Sequence, residues 1–257
     1  MEMDQWLPKY RRIVKELKYD PDEDKRAAGI LDDLLRDRAL PLEDLRRRVN
    51  GRPILIFGAG PSLETDLKRI LKTTLLSRCC LISADGATTA LLKIAGKVPD
   101  VVVTDLDGVV EDIQEAERRG AYVVVHAHGD NISKLERYVK TFSKALGTTQ
   151  TEPVGIVHNF GGFTDGDRAV FLAGALGGDP LALVGMDMGK TAGPFSKTHV
   201  ALPKVKAAKL RIGKKLLEWF ASTAEATLFN LTSGGEDISG FERISPEELG
   251  GILADMG

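Results

Sequence analysis

Asp105 and Asp107 flank Leu106 directly after the apolar run Val101-Val102-Val103-Thr104. Two carboxylates at this spacing converge on one cation where the backbone is extended, and Mg²⁺ favours carboxylate oxygens together with substrate phosphates and retained waters. A solvated turn with an Asx cap is the bland alternative for either residue. Asp85, in Ser83-Ala84-Asp85-Gly86, ends another apolar run. Several acids at one sheet edge are electrostatically costly without a cation, so Asp85, Asp105 and Asp107 are the expected metal ligands. His126, His128 and Asp130 follow a third run. They can bind a transition metal, contact phosphate or move a proton, and helix capping by Asp130 or Asn131 explains them about as well.

Other segments are suited to anions. Gly58-Ala59-Gly60-Pro61-Ser62 follows an apolar run and opens a helical pattern. Its glycines allow close backbone approach, and free N–H groups at a helix start offer a phosphate site around Gly58, Gly60 and Ser62. The spacing is neither a dinucleotide fingerprint nor a P-loop, so an ordinary tight turn is the competing account. Gly161-Gly162-Phe163-Thr164-Asp165 is a second glycine turn, in which Thr164 or Asp165 can cap a helix starting near Arg168. Lys197, His199, Lys204, Lys206, Lys209 and Arg211 form a basic stretch. It suits polyphosphate, with a solvated helix face as the alternative.

The elements behind these residues are legible. Six short apolar runs are expected as strands: Pro53–Phe57, Cys79–Ser83, Val101–Thr104, Tyr122–Val125, Gly155–Val157 and Leu181–Val184. Most are separated by segments of helical period, such as Leu63 to Leu76 and Ile132 to Leu146. Uninterrupted rather than alternating apolar strands mean that both sheet faces are covered. The expected fold class is α/β, a three-layer parallel-sheet, Rossmann-like core. In such a sheet ligands bind at the carboxyl ends of strands, where the acids, glycines and histidines stand. Trp6, Ile13, Val14 and Leu17 recur at helical spacing. Residues 1–50 are therefore expected as an N-terminal helical extension and 51–257 as the catalytic domain. Past Lys204 a helix is expected over Val205–Ala221, then a short segment Thr227–Leu231 and a last helix from Pro246.

Composition narrows the partners. The chain has 257 residues, 43% of them hydrophobic, and a net charge of −2. That supports one large domain and lacks the basic excess of a nucleic-acid binder. Small molecules are the expected substrates. Cys79 and Cys80 are adjacent and suit reduced, buried thiols in a cytoplasmic protein. No apolar stretch is long enough for a bilayer span, and the N-terminus carries no signal-peptide pattern. The residues leave the oligomeric state open, a homodimer included.

Gly60-Pro61-Ser62-Leu63, Ser83-Ala84-Asp85-Gly86-Ala87, Pro99-Asp100 followed by Thr104-Asp105-Leu106-Asp107, and Gly185-Met186-Asp187-Met188 occur in that order between Pro53 and Arg211. In this the chain resembles the archaeal MptE-like 6-hydroxymethyl-7,8-dihydropterin pyrophosphokinases. The core motifs are also similar to thiamin pyrophosphokinases, with Asp85, Asp105, Asp107, Asp130 and the segment Gly161 to Asp165 at matching places. Thr104 replaces a Gly of that pattern, Gly108 a Ser and Phe163 an Arg, so a pyrophosphokinase acting on thiamin or another hydroxymethyl heterocycle stands as an alternative to the pterin enzyme. The resemblance implies transfer of diphosphate from ATP to a hydroxymethyl group on a reduced pterin, with AMP released and Mg²⁺ required. It implies Asp85, Asp105 and Asp107 as metal-binding and catalytic, and Asp130 or a histidine as proton acceptor. Gly58, Gly60, Ser62, Asp85, Gly161, Gly162, Thr164, Asp165, Lys197, Lys206 and Lys209 would bind the nucleotide or its phosphates. Asn159, Phe160 and Phe163 are candidates for the pterin. A glycosyltransferase using a metal-bound sugar nucleotide is the alternative enzyme, because DxD serves there too. A nucleotide-binding regulatory module without chemistry is the alternative outside enzymes.

Overall fold

A computed structural model describes residues 2–189, 193–196 and 203–255. Its centre is a parallel sheet of eight strands: β1 (Ile54–Phe57), β2 (Cys80–Ala84), β3 (Val101–Thr104), β4 (Tyr122–Ala127), β5 (Ala145–Thr149), β6 (Leu181–Val184), β7 (Leu228–Asn230) and β8 (Glu242–Arg243). They lie in the order β5-β4-β3-β2-β1-β6-β7-β8, every neighbouring pair parallel. The strand order reverses between β1 and β6, which opens a crevice at their carboxyl ends.

The described helices are α1 (Met3–Leu17), α2 (Pro21–Leu35), α3 (Leu42–Val49), α4 (Leu63–Ile70), α5 (Leu75–Arg78), α6 (Ala87–Ala90), α7 (Val110–Arg118), α8 (Ile132–Tyr138), α9 (Asp165–Ala175), α10 (Pro203–Thr223) and α11 (Pro246–Asp255). Side chains alternate between the two sheet faces. Ile54, Ile56, Ile82, Val101, Val103, Val124 and Leu183 pack with α1, α3, α9 and α10. Leu55, Phe57, Leu81, Ala182 and Val184 face α4, α5 and α11. Val102, Val123 and Val125 cluster with α2, α7 and α8. Coverage on both faces is why the strands carry no polar alternation, and the expected three-layer α/β architecture is borne out. No described helix is long and apolar enough to cross a membrane.

One strand differs from expectation. The fifth strand is β5, in a stretch whose beginning has a helical period. Gly155–Val157 is instead a turn beside it, joined by a single bridge between Thr148 and His158. Two features decide this. Gly155 takes φ 53°, and Ile156 N–H donates to Asp32 Oδ1 at 2.8 Å, which breaks the extended run. Gly147 lets β5 lie close under its cover, since a Cβ there would come within 3.1 Å of Leu31 and Val157. The helical pattern from Ile132 stops at Tyr138 and closes in a short 3₁₀ turn, Val139–Thr141.

The N-terminal helices share the core. Trp6 is fully buried, and its indole N–H donates to Gln150 O at 2.8 Å. Its ring lies 6.4 Å from that of Phe171 on α9. Trp6→Ala removes both the bond and a large buried surface, and should destabilise the chain by about 3–5 kcal/mol. Denaturant unfolding followed by circular dichroism measures it, and a loss below about 1 kcal/mol would contradict this packing.

Candidate functional site

Asp85, Asp105 and Asp165 converge at the carboxyl ends of the strands. One oxygen from each lies within 4.8 Å of the others. Asp85 is 5% and Asp105 7% exposed. Asp85 follows β2 with φ 43°, and Leu106, between the two aspartates after β3, has φ 64°. Left-handed backbone at non-glycine residues costs about 1–3 kcal/mol and gathers at functional sites. Thr104 Oγ1 donates to Asp85 Oδ1 at 2.6 Å, and Gly108 N–H donates to the same oxygen at 3.2 Å. Gly108 is required here, because a Cβ would come within 2.9 Å of the Asp85 carboxylate. Asn131, fully buried, donates to the carbonyls of Asp105 and His126 at 2.9 and 2.7 Å and joins the ends of β3 and β4.

Asp107 stands apart from this group. Asp107 N–H donates to Asp105 Oδ1 at 3.1 Å, and its own carboxylate lies 2.5 Å from Lys134 Nζ. Asp165 takes the third place. The α9 helix starts there, and its N-cap is Thr164, one of the two expected candidates, in a capping box with Asp167. Asp167 is buried and accepts from Phe163 N, Thr164 N and Thr164 Oγ1. Burial pushes its carboxyl upward, opposed chiefly by these hydrogen bonds. Asp165, at the first helical position, joins the acid group.

Two adjoining cavities meet at these acids. The smaller, about 130 Å³, lies over the β1, β2 and β6 ends between Gly58–Pro61, Ala84–Gly86 and Gly185–Met188. The larger, about 290 Å³, reaches over β4 to Tyr19, Asp20 and Glu23 beside α2. Asp85 lines the smaller, Asp105 the larger and Asp165 both. Lys206 also lines both, and its Nζ donates to Ser196 Oγ at 2.7 Å.

The remaining expected residues fall into several places. Gly58 and Gly60 line the smaller cavity. At Gly58 a Cβ would lie 2.8 Å from Met186 Sδ, so this glycine permits the β1 and β6 turns to meet. Ser62 is turned toward protein: its N–H donates to Asp187 Oδ2 at 3.2 Å, and its hydroxyl lies 2.9 Å from that oxygen and 2.7 Å from Asp66. Asp187, a buried acid after β6, thus fills the anion position at the start of α4. Gly161 and Gly162 have φ 89° and 84°, and Gly162 passes close to Arg168. Thr164 lines both cavities. Lys209 lines the larger one, with Nζ 5.5 Å from the Tyr19 ring centre. Lys197 lies outside the described residues. Asp130, exposed on the rim of the larger cavity, donates its N–H to His128 Nδ1 at 3.2 Å. His128 Nε2 lies 3.6 Å from Asp105. Phe163 lines the larger cavity, whereas Asn159 is spent on its own turn, bonded to Thr151 O and Gly161 N. Cys79 and Cys80 are free and buried, and burial foremost pushes their thiols up to about 11 and about 12.

Several contributors to the larger cavity carried no expectation as site residues, Tyr19, Asp24, Gln150 and Arg168 among them. Asp24 is buried and accepts from Tyr10, Gln150 and Gly129. The helical spacing around it gives no sign of that role, because its partners stand more than a hundred residues away in two of three cases.

The family model described as 6-hydroxymethylpterin diphosphokinase MptE-like matches residues 31–193. A 6-hydroxymethyl-7,8-dihydropterin pyrophosphokinase of Methanothermobacter thermautotrophicus is 44% identical over 234 residues, covering 89% of this chain and 99% of the relative. The Pyrococcus furiosus protein of that name is 45% identical over 238 residues, covering 90% and 100%. The Methanocaldococcus jannaschii protein is 36% identical over 237 residues, covering 88% and 98%. Among solved structures, the MAf glycosyltransferase from Magnetospirillum magneticum AMB-1 matches with a TM-score of 0.52 at 16% identity, over 91% of this chain and 41% of that one. That likeness is one of fold. Identity across nearly the whole length of three relatives, with the family model spanning most of the sheet, makes this chain a member of the MptE-like 6-hydroxymethylpterin diphosphokinase family.

Proposed function

We propose that this chain transfers the β,γ-diphosphoryl group of ATP to the hydroxymethyl group of 6-hydroxymethyl-7,8-dihydropterin and releases AMP. The observation that carries the reading is the acid group at the junction of two cavities, with Asp165 lining both. A transfer between two substrates needs such a seam, and the family supplies the substrates that fit it.

The donor set suits a hard cation: three carboxylates, no thiolate, and oxygens close enough to share one ion. Asp85, Asp105 and Asp165 would hold Mg²⁺, which when bound offsets charge on phosphate oxygens. The smaller cavity over the ends of β1, β2 and β6 takes the triphosphate, and Lys206, which lines both cavities, neutralises it. The dihydropterin occupies the larger cavity with its hydroxyl toward the seam. The hydroxyl oxygen attacks the β-phosphorus, the bond from that phosphorus to the oxygen bridging to the α-phosphate breaks, and AMP leaves with that oxygen. Asp130 on the rim accepts the hydroxyl proton. Thr104 holds the Asp85 carboxylate in place throughout.

Two outcomes follow. Incubation with ATP, Mg²⁺ and the dihydropterin should give AMP and the pterin diphosphate, with Asp105→Asn lowering kcat by about 10³-fold in a folded protein. ADP as the nucleotide product, or near-normal turnover in the variant, would sink the reading. Titration with Mn²⁺, followed by electron paramagnetic resonance, should show affinity on the order of tenfold weaker for Asp165→Asn, with Asp107→Asn within about twofold of wild type. The reverse ranking would return Asp107 to the metal site.

A further inference from the structure

The floor of the larger cavity carries two buried polar atoms that the fold leaves unanswered. His126, on β4, is 2% exposed, and Arg168, in the first turn of α9, is 3% exposed. Both line the cavity. Neither His126 Nε2 nor Arg168 Nε has a hydrogen-bond partner among the described residues. Gln150 flanks the imidazole without a bond of normal geometry to Nε2. Buried polar atoms almost always find partners, and each one left alone costs about 1–3 kcal/mol. Two on one cavity floor point to a ligand.

The chemistry each atom offers can be assigned. Thr148 Oγ1 donates to Val125 O at 3.1 Å and lies 3.4 Å from His126 Nδ1. A hydroxyl that donates to the carbonyl can accept from the ring. With the imidazole hydrogen on Nδ1, donated to Thr148, Nε2 carries a lone pair, and this is the tautomer the inferred recognition uses. Burial first, and the charge of Arg168 second, favour the neutral ring. Arg168 donates through Nη2 to Phe163 O at 2.9 Å, and its Nε–H is a further donor. The floor therefore presents one acceptor and one donor, next to the aromatic walls of Tyr19 and Phe163, whose rings are 6.4 Å apart.

An acceptor with a neighbouring donor is the complement of a cyclic lactam, N–H next to C=O. We infer that His126 and Arg168 recognise the lactam edge of the acceptor's pyrimidinone ring, the ring N3–H donating to His126 Nε2 and the ring carbonyl accepting from Arg168 Nε–H. The inference rests on the dihydropterin reading above. It makes these two side chains determinants of acceptor specificity. A site built on such bonds rejects a ligand that lacks them, because its own atoms then stay unpaired.

The test is direct binding to the full chain. His126→Leu and Arg168→Gln should each raise the dihydropterin Kd about 10- to 100-fold in fluorescence titrations, while Kd for the magnesium complex of α,β-methylene-ATP stays within about twofold. On the ligand side, N3-methylated 6-hydroxymethylpterin should bind wild type about tenfold more weakly than the unmethylated compound, and lose nothing further in His126→Leu. This comparison in wild type decides the matter even if a variant fails to fold. Equal affinity of wild type for the two pterins, or unchanged dihydropterin Kd in both folded variants, overturns the inference and leaves diphosphate transfer standing. Dihydropterin that neither binds wild type nor supports AMP formation overturns the functional reading and the inference together.

Discussion

Carboxylates gathered at one spot repel one another. Two unit charges 4 Å apart interact by about 4 kcal/mol at an effective dielectric of 20, and Asp85, Asp105 and Asp165 bring oxygens to within 4.8 Å. Much of the surrounding structure serves to hold that unfavourable arrangement. Asp85 is kept in left-handed backbone and accepts from Thr104 and Gly108. Asp105 hangs from a carbonyl tied by Asn131 to the end of the neighbouring strand. Asp165 opens a helix capped by Thr164 in a capping box with Asp167. A divalent cation converts the repulsion into attraction, so the same arrangement that costs stability without metal provides the binding energy for it.

The place of the acids follows from topology. A parallel sheet puts every strand's carboxyl end on one side, and reversal of strand order between β1 and β6 leaves a crevice there. The glycine turns border the smaller cavity on that crevice, and the N-terminal residues Tyr19, Asp20 and Glu23 border the larger one. The helices of residues 1–50 therefore bring both buried apolar surface and part of a cavity wall to the molecule.

The sheet was legible in sequence because strands buried on both faces leave long apolar runs, and five of six such runs are strands. The exception, Gly155–Val157, depends on a glycine φ and on a hydrogen bond to Asp32, neither of which a run of apolar letters encodes. The site was legible to the level of its strand ends. Asp85 and Asp105 stand in the acid group, and Lys206 and Gly60 border a cavity. Convergence of Asp105 and Asp107 presumes extended backbone, and Leu106 at φ 64° removes that premise. Thr164 and Asp165 are equal candidates for the cap in sequence, and only the helix start puts Thr164 at the cap and Asp165 at the first helical position. Arg168 and Gln150 are set by tertiary packing and leave no local pattern.

On the proposed function Asp85, Asp105 and Asp165 share one cation at the seam of two substrate cavities. Crystals grown with Mn²⁺, α,β-methylene-ATP and the dihydropterin, measured for manganese anomalous scattering, test it directly. A peak bound by oxygens of those three aspartates is expected, with phosphates on the Asp85 side and the pterin on the Asp105 side. A peak on Asp107 without Asp165, or both substrates on one side of the acids, would contradict it.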